Sequence, residues 1–393
     1  MTTRDFTANV ISASKVVPDG NFKDSKASGV WDINEALDLI KGGNWPNAAN
    51  IDPAAFVDGV FSIDLYDGTG SSNTITNNIN LTGKGGLVWI KRRNDTSDHN
   101  LFDNERGFAT ASTGLMSSNS TGASNDFADY FNATSTGFTL LHSGNDTNDS
   151  SSEYVSWTFR KQPKFFDIVT YTGNSTARTI SHSLGSTPGM IILKSYGDSS
   201  DWIVYHRGNT AAPQTDALKL HSTVATSDNA GYFNDTAPTS TEFSLGDHTD
   251  ANGNGKTFVA YLFAHNNDDG GFGEPGDQDI IKCGSYTGNT SGTEVNLGFE
   301  PQFVMIKKSS DSESWFVYDS MRGVATGGSD SQDKKLLWNS SQAESAVASP
   351  IIAFSANGFI LESTDNEING SGTYVYMAIR RGGMQTPTTG TDV

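Results

Sequence analysis

Apolar residues along this chain recur mostly at a period of two, in short runs broken by Gly, Asn, Asp and Ser. The clearest run is Tyr154 to Arg160. Tyr154, Ser156 and Thr158 fall on one side, and Val155, Trp157 and Phe159 on the other. Successive side chains of a β-strand point to opposite faces, so this alternation predicts a half-buried strand. A second kind of run is continuously apolar and ends in a base, as in Leu87-Val88-Trp89-Ile90-Lys91. A helical pattern is convincing once, over Asp32 to Gly43. There a capping Asp and first-turn acids precede Lys41, and Gly42-Gly43 follows as a stop.

These runs repeat in a constant order. Each copy opens on a Tyr-x-Gly turn, at Tyr66-Asp67-Gly68, Tyr171-Thr172-Gly173 and Tyr286-Thr287-Gly288. A base-ended strand follows, at Leu87 to Lys91, Met190 to Lys194 and Phe303 to Lys307. Next come Arg-Gly pairs led by Arg106, Arg207 and Arg322, then a short Phe strand at Phe138, Phe243 and Phe359. Each copy closes on an aromatic strand, at Tyr154 to Arg160, Phe258 to Ala264 and Tyr374 to Arg380. The opening tyrosines are spaced by about 105 and 115 residues. Units of that size exceed solenoid repeats, so each is expected to fold as its own domain. The predicted fold is all-β: three tandem β-sandwich or jelly-roll-like repeats after an N-terminal arm with one short helix. The boundaries read as arm and helix over 1–58, repeats over 59–162, 163–267 and 279–385, an acidic Gly-rich linker over 268–278, and a C-terminal linker over 386–393. An arm without a core of its own needs a partner surface to become ordered.

Composition sharpens this picture. Val, Ile, Phe, Tyr and Trp interleaved with turn formers suit short strands. The formal charge of −19 opposes nucleic-acid binding, which needs clustered Lys and Arg. No apolar run is long enough for a membrane span, which needs about 20 residues, and no secretory signal is visible at the start. Cys283 is the single cysteine, so the chain forms no internal disulfide, and the thiol reads as a small core residue.

The segment Gly29-Val30-Trp31 through Gly43-Asn44-Trp45-Pro46 resembles a short module of phage tail-fibre-like proteins. The repeats, with Phe166 to Gly173 leading into Ser186 to Ile192, look like a domain of virion proteins from marine bacteriophages. The resemblance implies a structural or tail-fibre-like role in the virion. The expected role is non-enzymatic, with the tail the expected place rather than the capsid surface. The arm would contact other virion proteins, the repeats would reach a host surface glycan, and the chain would form a homotrimer. A capsid decoration or head-fibre protein is the alternative within that class. A glycan depolymerase is the alternative outside it.

Chemical motifs give little support to the enzymatic alternative. Nucleophile-elbow, zinc-protease and P-loop patterns are missing. Gly271 to Gly276 has dinucleotide-loop spacing but opens no helix and lies among acids that would repel phosphate. Asp250 to Gly255 matches half a calcium loop, yet its twelfth position is Tyr261 instead of Glu. Calcium at Asp268, Asp269, Asp277 and Asp279 is an open alternative to a solvated linker. The histidines lack ligand spacing, so no metal or other cofactor is expected. Asp103 beside Arg106 and Asp319 beside Arg322 admit an anion or sugar site, but recurrence favours arginines that pin a turn. The pairing is not uniform, since His206 stands in the second copy. Trp89, Trp157, Trp202 and Trp315 read as core before sugar platforms. Lys91-Arg92-Arg93 reads as an exposed strand end.

Overall fold

The computed structural model describes residues 56–108, 114–125, 129–144, 146–273, 276–290, 292–324, 333–346, 351–361 and 367–382. The arm, the helix expected at Asp32 to Gly43 and the C-terminal linker lie outside them. The chain from Phe56 onward is one compact unit.

The fold is all-β, and each repeat is a sandwich-like pair of antiparallel sheets. In the first repeat the main sheet runs Phe61–Asp67, Glu153–Arg160, Gly86–Arg92, Asn100–Asp103. The third runs Ile281–Gly288, Gly372–Arg380, Pro301–Lys308, Trp315–Asp319, then Lys334–Leu337 and Ser345–Ala346. The second has the same order, from Phe166–Thr172 through Thr257–Ala264, Pro188–Ser195 and Ile203–His206 to Asp216–Lys219 and Ser227–Asp228. The closing strand therefore lies between the opening and base-ended strands in all three. A smaller sheet covers one face, such as Asn73–Thr76, Gly137–Leu140 and Phe131–Thr134 in the first repeat.

The Tyr-x-Gly motifs lie at the paired ends of the opening strands rather than in turns, and they recur because each performs the same task. The hydroxyls of Tyr66, Tyr171 and Tyr286 donate to the carbonyls of Thr147, Ala251 and Ile368 at 2.8, 2.6 and 2.5 Å. The next residues, Asn148, Asn252 and Asn369, are fully buried. Their Oδ1 atoms accept from the amides of Thr69, Asn174 and Asn289, which clamps the opening strand to the loop before the closing strand. A Cβ on Gly68, Gly173 or Gly288 would come within 2.1 Å of the facing carbonyl oxygen, so only glycine fits. Asn252 thus has a structural role within the stretch that resembles half a calcium loop.

The closing strands are not half-buried. Tyr154 joins Val88, Ile90, Phe102 and Phe138 inside the first sandwich. The opposite face, Trp157 and Phe159, is equally closed to solvent. It packs on other repeats: Phe159 meets Phe263 at 5.4 Å and Phe303 at 6.4 Å, and Trp157 meets Phe303 at 6.2 Å between ring centroids. Polar and aromatic residues alternate along this strand, yet neighbouring repeats supply the cover that turns a two-faced strand into a core strand.

The expectation of separately standing modules is corrected in the same way. Each repeat's outer loop pairs with the next repeat through two backbone hydrogen bonds. Ser200 donates to Thr121 and Ser124 to Tyr196, joining the first repeat to the second at 2.9 Å each. Glu313 donates to Thr223 at 2.8 Å and Thr226 to Ser309 at 2.9 Å, joining the second to the third. Ser97 donates to Ser341 and Glu344 to Arg93 at 2.8 Å each, joining the third back to the first. The same two bonds, made three times in cyclic order, close the repeats into a ring.

The 268–278 segment is an ordered turn among its described residues. Asp279 accepts from the amides of Asp268 and Gly270 at 3.0 and 3.1 Å, and Phe272 is buried.

Candidate functional site

The three signature arginines divide two against one. Arg106 and Arg322 are buried, each three residues after the aspartate that ends a strand. Arg106 Nε donates to Asp103 Oδ2 at 2.6 Å, and Arg322 Nε to Asp319 Oδ2 at 2.7 Å. Each pair also reaches across a joint. The Tyr261 hydroxyl of the second repeat donates to Asp103 Oδ2 at 2.6 Å. The Trp157 indole of the first repeat donates to Asp319 Oδ2 at 3.0 Å. Burial holds the Tyr261 phenol well above its ordinary value, so it remains a donor. These arginines are cross-repeat pins.

Arg207 is not their counterpart, although it leads the Arg-Gly pair of the second repeat. Strand register sets His206 level with Asp103 and Asp319, so the position three residues later is Asn209. The Gly208 amide donates to His206 Nδ1 at 3.1 Å, leaving the proton on Nε2, 3.0 Å from the Tyr376 carbonyl. Burial lowers the His206 pKa to about 4, so the ring is neutral. Here a neutral histidine makes the cross-repeat contact that an Asp–Arg pair makes elsewhere.

The substitution frees Arg207. It is exposed, and its guanidinium makes no hydrogen bond or ion pair among the described residues. It lines a cleft of about 620 Å³ where the second repeat meets the third. The joint is close because Gly208 faces Gly284, whose carbonyl carbon would lie 2.9 Å from a Cβ at position 208. Hydroxyls from both repeats line the cleft, including Thr226, Ser285, Ser309, Ser310 and Thr373. No carboxylate lines it. Asn209 also lines it and is 3% exposed. Its Oδ1 accepts from Thr226 Oγ1 at 2.7 Å, while its Nδ2 has no partner among the described residues. Turning the amide over would leave its oxygen alone instead, so one polar atom stays unsatisfied either way.

A family model described as a domain of unknown function, DUF7483, matches residues 58–381. The chain belongs to that family. The match runs through all three repeats, the span over which the ring closes. A comparison with curated proteins finds no match.

Other candidate residues of the DUF7483 unit fall into place as structure. Trp89, Trp157, Trp202 and Trp315 are fully buried, so none offers a face to a ligand. Trp89 stacks on Trp338 at 4.2 Å, closing the first repeat on the third. Lys91 is fully buried rather than an exposed strand end, as are its counterparts Lys194 and Lys307. Lys194 and Lys307 cross the joints to the carbonyls of Thr121 and Thr223, at 3.1 Å each. Arg93 makes a two-pronged pair with Glu344, with both N–O distances at 3.0 Å. Burial pushes the Cys283 thiol up to about 12, away from nucleophilic chemistry. Among the described residues no group of three or more His, Cys, Asp or Glu is placed to hold a metal.

Asn209 and the asparagines Asn148, Asn252 and Asn369 were not visible as sites in the sequence. The last three lie five or six residues before the start of the aromatic closing run at Tyr154, Phe258 and Tyr374, which is a detectable spacing. Asn209 has no such signal, because its role depends on His206 replacing an aspartate.

Proposed function

We propose that this DUF7483 chain is a non-enzymatic structural protein of a phage particle, a tail fibre or tail-associated component that touches the host surface. The observation that supports it most is the closed ring. Three repeats locked by equivalent backbone bonds and by a side-chain pin at each joint make a rigid body, and rigid bodies with polar clefts between loops are suited to recognition. The resemblance of Gly29 to Pro46 and of the repeats to virion proteins supports the same reading. Residues 1–58 would dock the unit to other virion proteins. A homotrimer would then set three such rings together, a common symmetry choice for an appendage.

Immunogold labelling of intact particles with antibody against residues 166–381 tests the reading. Gold on tail tips or fibres is the expected result. Gold over the head would make the chain a decoration protein, and unlabelled particles would overturn the virion reading. Sugar release from host envelope by the purified chain, abolished by one Asp or Glu substitution, would overturn the non-enzymatic part. Light scattering tests the trimer.

A further inference from the structure

We propose that the cleft around Arg207 and Asn209 binds the carboxylate of an acidic sugar. The chemistry comes from two independent features. One is a guanidinium without a partner among the described residues, in a chain of formal charge −19. Carboxylates abound on this protein, and yet none lines the cleft. A guanidinium fork matches a carboxylate in two parallel hydrogen bonds. The second feature is the cleft itself, whose walls carry hydroxyls from both repeats and no carboxylate beside the buried Asn209 amide.

The remaining lining decides between a free anion and a sugar. Ser285, Ser310 and Thr373 add donor and acceptor groups from the third repeat on the facing wall. Ser310 Oγ accepts from the Thr373 amide at 3.0 Å, so it is held in place with its own proton free to donate. Hydroxyls on two walls suit the ring hydroxyls of a saccharide, each of which both donates and accepts. The space also exceeds a carboxylate alone, at about 620 Å³. Arg106 and Arg322 are instead buried against aspartates at their joints. Among the described residues the unpaired arginine occurs where His206 stands in place of an aspartate. The meaning of the site as a host contact rests on the surface-contact reading above; its chemistry does not.

The test is calorimetric titration of the full chain with glucuronate, glucose, glucose 6-sulfate and acetate, at low ionic strength because exposed charges are screened by salt. Glucuronate is expected to bind, glucose and acetate at least about tenfold more weakly, a factor equal to about 1.4 kcal/mol. Arg207→Gln should weaken glucuronate by about tenfold or more, because a charge-assisted fork becomes a single neutral donor. The exposed position of Arg207 makes this variant safe for folding, and an unchanged melting temperature verifies it. Asn209→Asp, which sets a negative charge beside the ligand, should abolish binding. Equal binding of glucuronate by wild type and Arg207→Gln would overturn the site. Acetate binding as tightly as glucuronate would reduce it to a small-anion site and overturn the sugar assignment, and a preference for the sulfate ester would overturn the carboxylate assignment. Binding with unlabelled particles would retain the site and sink the virion reading. Gold on tail fibres without binding would do the reverse.

Discussion

Replacing Arg322 by Ala should lower the stability of the whole ring rather than of the third repeat alone. Asp319 and Arg322 are both closed to solvent, and their ion pair is 2.7 Å long. The guanidinium also donates to the Val317 carbonyl at 2.9 Å and lies over the Trp157 ring of the first repeat at 5.5 Å. Truncation leaves Asp319 buried with the Trp157 indole but no countercharge. Breaking a buried pair from one side costs about 3–5 kcal/mol. Unfolding entropy is about 2.1 cal/mol/K per residue, so a unit of roughly 340 residues changes by about 0.7 kcal/mol per kelvin. The expected fall in melting temperature is thus about 4–7 °C. Differential scanning calorimetry of the full chain should show one transition shifted as a whole. The double variant Asp319→Leu/Arg322→Met removes both charges, and should lie within about 2 kcal/mol of wild type. An unmoved melting temperature would refute the pin. A new transition carrying about a third of the enthalpy would refute the ring, because it would mean that repeats unfold independently.

Other outcomes follow from the joints. Trp338→Ala should cost about 3–5 kcal/mol in urea titration, since it empties the space stacked on Trp89; a loss below about 1 kcal/mol would remove the stack from the closure. Tyr261→Phe should cost about 1.5–3 kcal/mol, the value of a hydrogen bond to a charged group; a neutral result would mean that Asp103 is satisfied without it. Stability should rise from pH 8 toward pH 10. Burial lowers Lys91, Lys194 and Lys307 to about 8, so above that pH the folded chain sheds protons that the unfolded chain keeps until about 10.5. Above pH 10 the buried tyrosines reverse the trend, because unfolded phenols ionise while Tyr171 and Tyr261 cannot. Lys91→Met should remove about a third of the alkaline rise seen in melting temperature, and a flat profile in wild type would count against charged, buried lysines. Acid should destabilise from pH 6.5 downward, since burial lowers His99 to about 3 and His206 to about 4, and only the unfolded chain takes up their protons; a melting temperature constant to pH 4.5 would contradict this. Removing residues 1–50 should leave the melting transition in place while abolishing incorporation into particles; continued incorporation would end the docking role of that segment.

Local order was readable because it is written locally. Alternation at a period of two named the strands, and the recurring tyrosines, bases and aromatics named the three repeats. The all-β class and the base-ended, Phe-containing and closing strands needed nothing beyond residues a few positions apart. Closure of the ring was not readable, because its bonds join residues such as Arg93 and Glu344, which are 251 positions apart. The same distance explains the misreadings. Lys91 looked exposed because a basic end to an apolar run ordinarily meets water, whereas it is buried and its counterparts Lys194 and Lys307 bond to carbonyls of another repeat. Trp157 and Phe159 looked like one face of a half-buried strand because sequence records a side chain's direction but not what stands opposite. Arg207 looked equivalent to Arg106 and Arg322 by its glycine neighbour, whereas strand register sets it two places early and leaves it free. Sequence alone determined the all-β class, the landmark strands and the threefold recurrence, since these depend on periodicity and turn chemistry. The tertiary structure alone decided which faces are covered, which arginine is unpaired and where a ligand fits, since those depend on groups that meet only when the chain closes on itself.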